Sequence, residues 1–443
     1  MSIFAQDTIA AFATAPSSGA VALLRISGPC VKAALHKLTG KNFEPRRATL
    51  AQIYDGEEIL DSAIVTFYAA PKSYTGEDIA EITLHASLYI KARVLQILAD
   101  TGVRPAKPGE FSMRAFLAGK MDLAQAQGVA DIIASKNKAA HKAAMNILDG
   151  KLSAKFKNIR MRLADLLAQI EVRIDDTDEE IPQLNVKAAA KELDEIINQT
   201  QTLADTFAAG RLVKDGIKTA IVGLPNSGKS SLLNILLGFE RAIVSPEPGT
   251  TRDTIEADFE VNGQRIILTD TAGIREHSLD PAEKQGMQRT RDAAKAADIV
   301  IFVKDKGLSS AQTALWEEIK KEGKKIIPVT NKADLLPQNF ERGGDILISC
   351  LSGIGIEELK NKIVETAGAA ALGEDEIIIT SAVHYEALAS AARELGLARG
   401  NINRLEISAE HLRRALTHLK ELIGEVNAED ILDIVFSKFC VGK

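Results

Sequence analysis

An eight-residue stretch, residues 223–230, constrains this chain more than any other. It reads Gly-Leu-Pro-Asn-Ser-Gly-Lys-Ser, a complete Gly-x-x-x-x-Gly-Lys-Ser phosphate-binding loop. The apolar residues 219–222 before it are typical of a buried strand, and residues 231–237 after it begin a helix with an apolar face. Because strand, glycine loop and helix are the context that this motif requires, the sequence predicts an α/β domain that binds a nucleoside phosphate.

The residue types in this loop suit phosphate and a divalent cation. Gly223 and Gly228 let the backbone turn so that its N–H groups surround phosphate oxygens, and the following helix N-terminus adds positive potential. Lys229 would reach the β- and γ-phosphates, and the Ser230 hydroxyl would ligate Mg²⁺. Thr251, in a later segment, would add a second hydroxyl to the metal.

Four further motifs at compatible spacings indicate that the nucleotide is GTP. Asp270 of the Asp270-Thr271-Ala272-Gly273 motif would hold Mg²⁺ through water, and the Gly273 N–H would meet the γ-phosphate. Gly249-Thr-Thr-Arg-Asp253 is a separate motif, which contains Thr251. Asp334 would accept both donors on the Watson–Crick edge of guanine, where adenine presents the wrong pattern. A backbone contact to guanine O6 would come from Ser349-Cys350-Leu351. The residues expected to contact GTP are Asn226, Ser227, Gly228, Lys229, Ser230, Ser231, Ser245, Pro246, Glu247, Pro248, Gly249, Thr250, Thr251, Asp270, Thr271, Ala272, Gly273, Asn331, Lys332, Asp334, Ser349, Cys350 and Leu351.

The group that would orient the attacking water has several candidates. Many GTP-hydrolysing switches carry Gln directly after Asp-x-x-Gly, whereas Ile274 stands there in this chain. An apolar side chain neither donates nor accepts a hydrogen bond, so another group must do this. Arg275, Glu276 and Glu283 lie within the next dozen residues, and each of them also fits an exposed helix charge.

The transition state also needs positive charge, and no arginine is assignable to that role from the sequence. Asn226 offers an amide oxygen within the phosphate loop, and backbone carbonyls of residues 245–250 would complete the shell of a monovalent cation. A potassium ion there would bridge phosphate oxygens and neutralise developing charge. The alternative for Asn226 is an amide that only stabilises the loop, and both interpretations stay open at this point.

Composition argues against several classes of protein. The chain has 443 residues with 60 acidic against 54 basic, a formal net charge of −6, and no run of Lys and Arg predicts a nucleic-acid stripe. Aromatic residues make up 5%, which disfavours a base-stacking surface. The cysteines, Cys30, Cys350 and Cys440, are too far apart for a disulfide framework or a metal cluster. Without a stretch that could span a bilayer or a signal peptide, a soluble cytoplasmic protein is expected.

The character of the chain changes three times along its length. Residues 1–118 mix strand and helix patterns, residues 119–214 have helical spacing, residues 215–370 carry the GTP motifs, and residues 371–443 return to helices. Helical segments on both sides of an α/β segment predict one helical domain interrupted by an insertion, since loop-closure entropy grows slowly with length. Long helices are predicted over residues 122–148, 151–174, 186–209, 383–399 and 408–422, with a last one near 429–436.

Several stretches outside the GTP motifs carry a resemblance, and a generic GTPase would have neither the 108–123 stretch nor the ending. The stretches are Asp7-Thr-Ile-Ala, Leu24-Arg-Ile-Ser-Gly28, Tyr74-Thr-Gly-Glu-Asp78, Pro108-Gly-Glu-Phe-Ser112, Arg114-Ala-Phe-Leu-Ala-Gly-Lys120 with Asp122-Leu123, and Phe439-Cys-Val-Gly-Lys443. On these residues and the GTP motifs, the chain resembles the MnmE (TrmE) family of tRNA-modification GTPases over essentially its whole length.

The resemblance implies a multidomain protein, α/β plus all-α. Its N-terminal α/β domain would be similar to folate-binding domains and would dimerise the protein, and a Ras-like P-loop GTPase domain would interrupt a central helical domain. The homodimer would act with the flavoprotein MnmG (GidA), which carries FAD. A one-carbon unit from 5-formyl- or 5,10-methylenetetrahydrofolate would be used to install a (carboxymethyl)aminomethyl group at C5 of the wobble uridine of certain tRNAs. Mg²⁺ and K⁺ would serve GTP hydrolysis.

The same resemblance implies roles for individual residues. The catalytic carboxylate would be Glu283, with Glu276 as the alternative because residues 277–282 look one residue longer than the family's usual spacing. The folate ligands would include Arg25 and Glu81, although a charged residue on a strand otherwise indicates a solvent-facing position. The implied sites are Arg25, Glu81, Lys120 and Lys443 for folate, Asn226, Ser245, Glu247 and Thr250 for K⁺, and Ser230 and Thr251 for Mg²⁺.

Two stretches depart from the family pattern, and two other functions stay open. One of these stretches is the acidic turn at residues 174–181, where the family usually has an aromatic residue and a proline. The family commonly shows Cys-His-Gly-Gly where this chain has Leu84-His85-Ala86-Ser87, so the local loop geometry is in doubt. One alternative is a ribosome-assembly or membrane-trafficking GTPase, in which folate binding by residues 1–120 has no place. The other is a scaffold that binds GTP without hydrolysing it.

Overall fold

The computed structural model of this chain divides into two compact units. The first unit comprises Met1–Ala130, Ile147–Lys157 and Leu419–Lys443, and the second unit comprises Asp131–Asn146 and Asn158–His418. No helix in the described ranges is both long and apolar enough to cross a membrane. The structure describes residues 7–175, 182–224, 226–238, 257–269, 291–304, 310–337, 340, 343–368, 376–424, 436, 439 and 442.

A six-stranded sheet in the order β3-β4-β5-β2-β1-β6 organises the first unit. All neighbouring strands are antiparallel except β1 and β6, which are parallel. The strands are β1 (Thr8–Phe12), β2 (Val21–Ser27), β3 (Thr49–Asp55), β4 (Glu58–Tyr68), β5 (Ile79–His85) and β6 (Val103–Pro105), and the helices are α1 (Val31–Thr39), α2 (Leu88–Ala99) and α3 (Glu110–Leu117).

Helix α1 shows why this unit folds around the sheet. Its apolar residues Val31, Ala34, Leu35 and Leu38 recur at helical spacing, and all four are buried in the core that covers the sheet. The helix stops at Gly40, whose φ of 67° is a left-handed conformation that glycine adopts without a Cβ penalty.

The strand-to-helix connection is intact at residues 84–87, one of the stretches that depart from the family pattern. Strand β5 runs to His85, Ser87 has an extended backbone with φ −69° and ψ 135°, and α2 begins at Leu88. The imidazole Nδ1 of His85 lies 2.7 Å from Oδ1 of the buried Asp61 carboxylate. The two glycines of the usual pattern are therefore not needed to turn the chain here.

A further set of helices lies before and after the GTP motifs in the chain. The helix over Val186–Asp205 packs against the helix over Ala382–Gly400, and Arg399 of the second donates two hydrogen bonds to Asp194 of the first. These helices are α4 (Leu123–Ala134), α5 (Lys138–Leu148), α6 (Lys151–Asp175), α7 (Val186–Asp205), α8 (Phe207–Asp215), α12 (Ala382–Gly400) and α13 (Leu405–Glu421).

Two of the long predicted helices are broken. Residues 122–148 form α4 and α5, because Asn137 starts a new helix by accepting the Ala140 N–H through its side chain at 2.7 Å. Residues 186–209 are divided at Thr206 between α7 and α8. Helices over 151–174, 383–399 and 408–422 are confirmed, whereas most of residues 429–436 lie outside the described residues.

The nucleotide-binding part is built on a second six-stranded sheet in the order β12-β11-β10-β7-β9-β8. Only β8 and β9 pair antiparallel, so the carboxyl ends of the other strands meet at one edge. Its elements are β7 (Ile217–Val222), α9 (Lys229–Gly238), β8 (Ala257–Val261), β9 (Gln264–Thr269), β10 (Ile299–Lys304), α10 (Ser310–Lys321), β11 (Lys325–Thr330), β12 (Ile346–Leu347) and α11 (Ile356–Ala367).

Candidate functional site

The phosphate loop lies between β7 and α9, at the edge where the parallel strands end. A Cβ at Gly223 would lie 2.3 Å from the Val303 carbonyl oxygen of the neighbouring strand β10. At Gly228 φ is 98°, and a Cβ would lie 2.0 Å from Nδ2 of Asn331. Both glycines of the motif are thus required by close contacts as well as by the turn itself.

Asn331 joins the guanine motif to the phosphate loop. This residue is 3% exposed, and its Nδ2 donates to the Ser227 carbonyl at 3.0 Å. Its Oδ1 accepts the Lys332 N–H at 2.8 Å, and its own N–H donates to the Lys304 carbonyl at 2.8 Å. Two motifs that are about a hundred residues apart in the sequence are therefore bonded to one another in the fold.

The atoms of the phosphate loop suit an anionic ligand with a divalent cation. The Lys229 Nζ donates to the Leu224 carbonyl at 2.8 Å, and burial lowers the pKa of Lys229. Because α9 begins at Lys229, the N–H groups of its first turn have no acceptor within the helix. The buried Ser227 hydroxyl has no hydrogen-bond partner among the described residues. Ser230 brings a hydroxyl to the start of the same helix, where a metal-bound phosphate would lie.

The remaining described residues of the loop are more exposed. Asn226 is exposed with φ 64°, a left-handed conformation that Asn tolerates better than most residues. Ser231 is exposed on α9.

The residues expected at the guanine ring follow β11 and β12. Asp334 is exposed on a short 3₁₀ turn, Ala333–Leu335. Ser349 is fully buried and its hydroxyl accepts the Ser352 N–H at 3.2 Å, which fixes the loop after β12. Burial raises the pKa of the Cys350 thiol, so Cys350 is present as the neutral thiol near pH 7. Leu351 is 90% exposed, and its backbone is the part expected to contact guanine O6.

Several predicted residues lie outside the described residues. Except for Lys443, they belong to residues 239–256, which precede β8 at Ala257, and residues 270–290, which follow β9 at Thr269. The residues are Ser245, Pro246, Glu247, Pro248, Gly249, Thr250, Thr251, Asp270, Thr271, Ala272, Gly273, Glu276, Glu283 and Lys443.

A second cluster of functional residues lies in the first unit and begins with Arg25 and Glu81. These residues are opposite one another on β2 and β5. The Arg25 Nε and Nη2 donate to Oε1 of Glu81 at 3.0 and 2.6 Å. Their side chains are only 14% and 25% exposed, so the pair does not have the solvent-facing position that charged strand residues usually take.

Aromatic rings and a distant backbone carbonyl surround the Arg25 guanidinium. Its Cζ lies 5.4 Å from the ring centroid of Tyr74 and 5.7 Å from that of Phe111. The Arg25 Nη1 also donates to the Gly442 carbonyl at 3.5 Å. Sequence reasoning assigned no role to Tyr74, Phe111 or Gly442, although each lies in one of the stretches that carry the family resemblance.

Lys120 is near this cluster in the same unit. Its Nζ donates to the Pro71 carbonyl at 2.5 Å, and the residue is exposed. A Cβ at Gly76 would lie 3.3 Å from Cε of Lys120, so the Tyr74-Thr-Gly-Glu-Asp78 stretch and Lys120 are neighbours. A carboxylate, two cations and the half-buried Tyr74 ring suit a flat heterocycle that offers N–H donors and carries an anionic substituent.

An ionic network supports the loops of this cluster. Arg114 is 7% exposed on its side chain and donates to Asp7, Glu77 and Glu110. Burial by itself would raise the pKa of Glu110, but hydrogen bonds from Arg104, the Lys107 N–H and Arg114 outweigh it and hold that pKa below its ordinary value. The network keeps the 74–78 and 108–112 stretches together.

Comparisons with known proteins cover the whole of this arrangement. The family described as "GTP-binding protein TrmE N-terminus" matches residues 8–120, and the "MnmE helical domain" matches residues 123–440. A tRNA modification GTPase MnmE of Akkermansia muciniphila is 41% identical over 449 residues, covering 99% of each chain. The protein of that name from Aquifex aeolicus is 40% identical and covers 99% of this chain and 100% of its own. A third, from Alkalilimnicola ehrlichii, is 39% identical with 99% and 100% coverage.

Proposed function

The chain belongs to the MnmE family of tRNA modification GTPases, and on that premise we propose that it is a potassium-activated GTP hydrolase serving wobble-uridine modification. The single observation that supports the GTPase most strongly is Asn331. Its amide bonds the guanine motif to the phosphate loop, so that base recognition and phosphate binding share one rigid platform. Such a platform favours hydrolysis of a positioned nucleotide.

In the proposed mechanism, this chain's residues position the γ-phosphate and the water that attacks it. Lys229 and the first-turn N–H groups of α9 would hold the phosphates, and Ser230 and Thr251 would hold Mg²⁺, which would neutralise phosphate charge. The Asp270–Gly273 motif would supply a water-mediated contact to Mg²⁺ and an N–H to the γ-phosphate. Because Ile274 cannot bond water, Glu283 orients the attacking water, with Glu276 as the alternative.

Asn226 is the proposed side-chain ligand of the potassium ion. Its left-handed backbone keeps the amide at the exposed rim of the phosphate loop. Ser245, Glu247 and Thr250 would complete the shell, chiefly through backbone carbonyls. The ion supplies the positive charge that an arginine provides in other GTPases.

The Arg25 cluster supports the proposed folate site. The Glu81 carboxylate, which Arg25 holds in place, would accept N–H donors of a pterin-like ring, and Arg25, Lys120 and Lys443 would supply positive charge. The half-buried Tyr74 ring would offer a flat apolar surface that suits an aromatic ligand, while the fully buried Phe111 packs behind Arg25. The one-carbon unit of 5-formyl- or 5,10-methylenetetrahydrofolate would then be available for transfer to C5 of the uridine.

The remaining parts of the proposal rest on family membership. The chain would act in the cytoplasm as a homodimer, with the flavoprotein MnmG (GidA) supplying FAD and with certain tRNAs as substrate. Its domains would be residues 1–118 for folate binding and dimerisation, 119–214 and 371–443 for the helical domain, and 215–370 for the inserted GTPase.

The test of this proposal is GTP turnover in potassium against sodium at equal ionic strength, with Mg²⁺ present. We expect turnover to be at least about tenfold faster in potassium, since a bridging cation contributes more than about 1.4 kcal/mol to the transition state. Asn226→Ala should remove the difference, whereas Asn234→Ala, an exposed residue of α9, should keep it. Equal rates in the two salts would refute the potassium mechanism.

The same assay identifies the group that orients water. Glu283→Ala should lower turnover by a factor on the order of 10² to 10⁴ without weakening GTP binding. If turnover is unchanged in that variant and falls in Glu276→Ala, the alternative carboxylate holds the role. Unchanged turnover in both variants would remove carboxylate-oriented water from the mechanism.

A further inference from the structure

The net charge of −6 conceals several segments that are free of acidic residues, and residues 132–148 are one of them. Between Asp131 and Asp149 there is no Asp or Glu, while Lys136, His141 and two further lysines lie there. Composition alone predicts no nucleic-acid stripe, because the excess of acidic residues elsewhere masks this local positive charge.

The fold arranges these basic residues on one side of α5. Positions 138, 141, 142 and 145 recur at intervals of three and four, so their side chains share one face of the helix. Lys138, His141 and Met145 are exposed and Lys142 is half-exposed, while Lys136 is exposed just before the helix. The opposite face is made of small or apolar buried residues, namely Ala140, Ala143, Ala144 and Ile147. We call residues 136, 138, 141 and 142 the α5 basic face.

The lysines of this face form no ion pair within the part of the chain that the structure describes. No carboxylate of the described residues pairs with Lys136, Lys138 or Lys142. The nearest acidic residue before the face, Asp131, is buried, and its two oxygens accept hydrogen bonds from Lys214 at 2.8 Å and from Thr380 at 2.9 Å. The Asp131 carboxylate is therefore bonded to Lys214 and Thr380 rather than to a lysine of the α5 basic face.

The start of α5 adds to this field and is held firmly. Asn137 is 7% exposed, and its side chain accepts the Ala140 N–H at 2.7 Å and donates to the Val213 carbonyl at 3.1 Å. The helix dipole places partial positive charge at this end, next to Lys136 and Lys138. The Ala139 N–H is bound in turn by the Gly263 carbonyl at 3.0 Å, from the turn between β8 and β9.

The carboxylates of that hairpin do not cancel the charge either. Asp258 is bound by the Arg265 guanidinium, and Glu260 lies opposite Arg265 in the pairing of β8 with β9. The part of the hairpin that contacts α5 is the uncharged Asn262–Gly263 turn. A rigid, unpaired cationic face with an ordered helix start is the type of surface that binds a phosphate backbone.

We propose that the α5 basic face binds the phosphate backbone of the tRNA substrate. The inference rests on the proposed function, which supplies RNA as the substrate class, and it adds the surface of this chain that contacts it. The face recognises charge and spacing rather than sequence, because lysines contact phosphates and residues 131–149 contain no Phe, Tyr or Trp for base stacking.

The test is tRNA binding by the full-length protein, measured by fluorescence anisotropy over a series of KCl concentrations. The variant carries Lys136→Gln, Lys138→Gln and Lys142→Gln together. The matched control carries Lys187→Gln, Lys191→Gln and Lys320→Gln, three exposed lysines elsewhere that change the net charge by the same amount. GTP turnover and circular dichroism check that both variants fold.

We expect the α5 variant to bind tRNA roughly 10- to 100-fold more weakly near 150 mM salt, with a salt slope smaller by about 2 to 3, since each lost phosphate contact removes about 0.7 to 0.9 from the slope. The control should bind like the wild type. Equal binding by the two variants overturns the α5 proposal alone, whereas absence of tRNA binding by the wild type overturns the proposed function and this inference with it. Unchanged tRNA binding with weakened binding of the flavoprotein would assign the face to a protein partner instead and refute the RNA proposal.

Discussion

Replacing Gly442 with alanine should separate the Arg25 cluster from the segment at residues 439–443. Gly442 has φ 99°, and a Cβ there would lie 2.6 Å from the Phe12 carbonyl oxygen and 2.9 Å from Cα of Ala13. Both obstacles are backbone atoms, so rotating a side chain cannot relieve the collision. The segment must move away, and the Gly442 carbonyl then leaves Arg25.

The magnitude follows from two terms. Alanine in a left-handed conformation costs about 1 to 2 kcal/mol, which by itself weakens docking of the segment. A hydrogen bond to a charged group contributes about 1.5 to 3 kcal/mol when it is well formed, and the 3.5 Å bond to Arg25 belongs at the lower end of that range. If folate binding uses the docked Gly442, the two terms together amount to about 2.5 to 3.5 kcal/mol and the folate Kd should rise by roughly 60- to 300-fold, since each 1.4 kcal/mol is a factor of about ten.

The assay is calorimetric titration of the full-length protein with 5-formyltetrahydrofolate. The matched control is Gly102→Ala, because Gly102 has φ 82° but a Cβ there meets no atom within 4 Å. This control carries the backbone strain without the collision, and its folate Kd should stay within about threefold of the wild type. A folate Kd unchanged in Gly442→Ala would refute the argument that the segment completes the site, and affinity for GTP should be unaffected in either variant.

Three other changes have defined outcomes. Asp334→Asn should weaken GTP binding at least about 100-fold, because two hydrogen bonds to a charged group are lost, and xanthosine triphosphate should bind the variant better than GTP in a fluorescent-nucleotide titration. Asp131→Ala should lower the free energy of unfolding in urea by about 1 to 3 kcal/mol, less than for a fully buried pair because Lys214 is one-third exposed. The folded-state pKa of Glu110 is held below its unfolded value of 4.5, so the stability that it contributes is present above that pH and is lost as pH falls through the folded pKa. Arg114→Met should therefore reduce the acid dependence of unfolding followed by near-UV circular dichroism, and an unchanged acid transition would refute this role of the network.

The nucleotide motifs could be predicted from the sequence because their chemistry is local. The phosphate loop contains its own turn glycines and its own lysine, and the strand before it and the helix after it follow from apolar patterning over a few residues. The bond from Asn331 to Ser227 could not be predicted, because it depends on the order in which β7, β10 and β11 lie in the sheet. No local pattern fixes that order.

The contacts of the Arg25 cluster were even harder to predict from the sequence. Arg25 and Gly442 are 417 residues apart, and their contact is a property of the folded unit alone. The family resemblance brought Arg25 and Glu81 together, but the aromatic rings of Tyr74 and Phe111 beside Arg25 needed the geometry. By contrast, the break between α4 and α5 carried a local signal, since Asn137 is a typical residue for starting a helix.

The β8–β9 hairpin connects the two parts of the chain that GTP would influence. Strand β8 follows the 245–251 segment and β9 leads into the 270–273 segment, so both are covalently joined to one hairpin. The turn of that hairpin is bonded to the first turn of α5 through Gly263 and Ala139. Nearby, Asp131 binds both Lys214, where the chain enters the nucleotide-binding part, and Thr380, where it has left. If either segment moves during hydrolysis, the hydrogen bond between Gly263 and Ala139 is the described contact through which that motion would reach the start of α5.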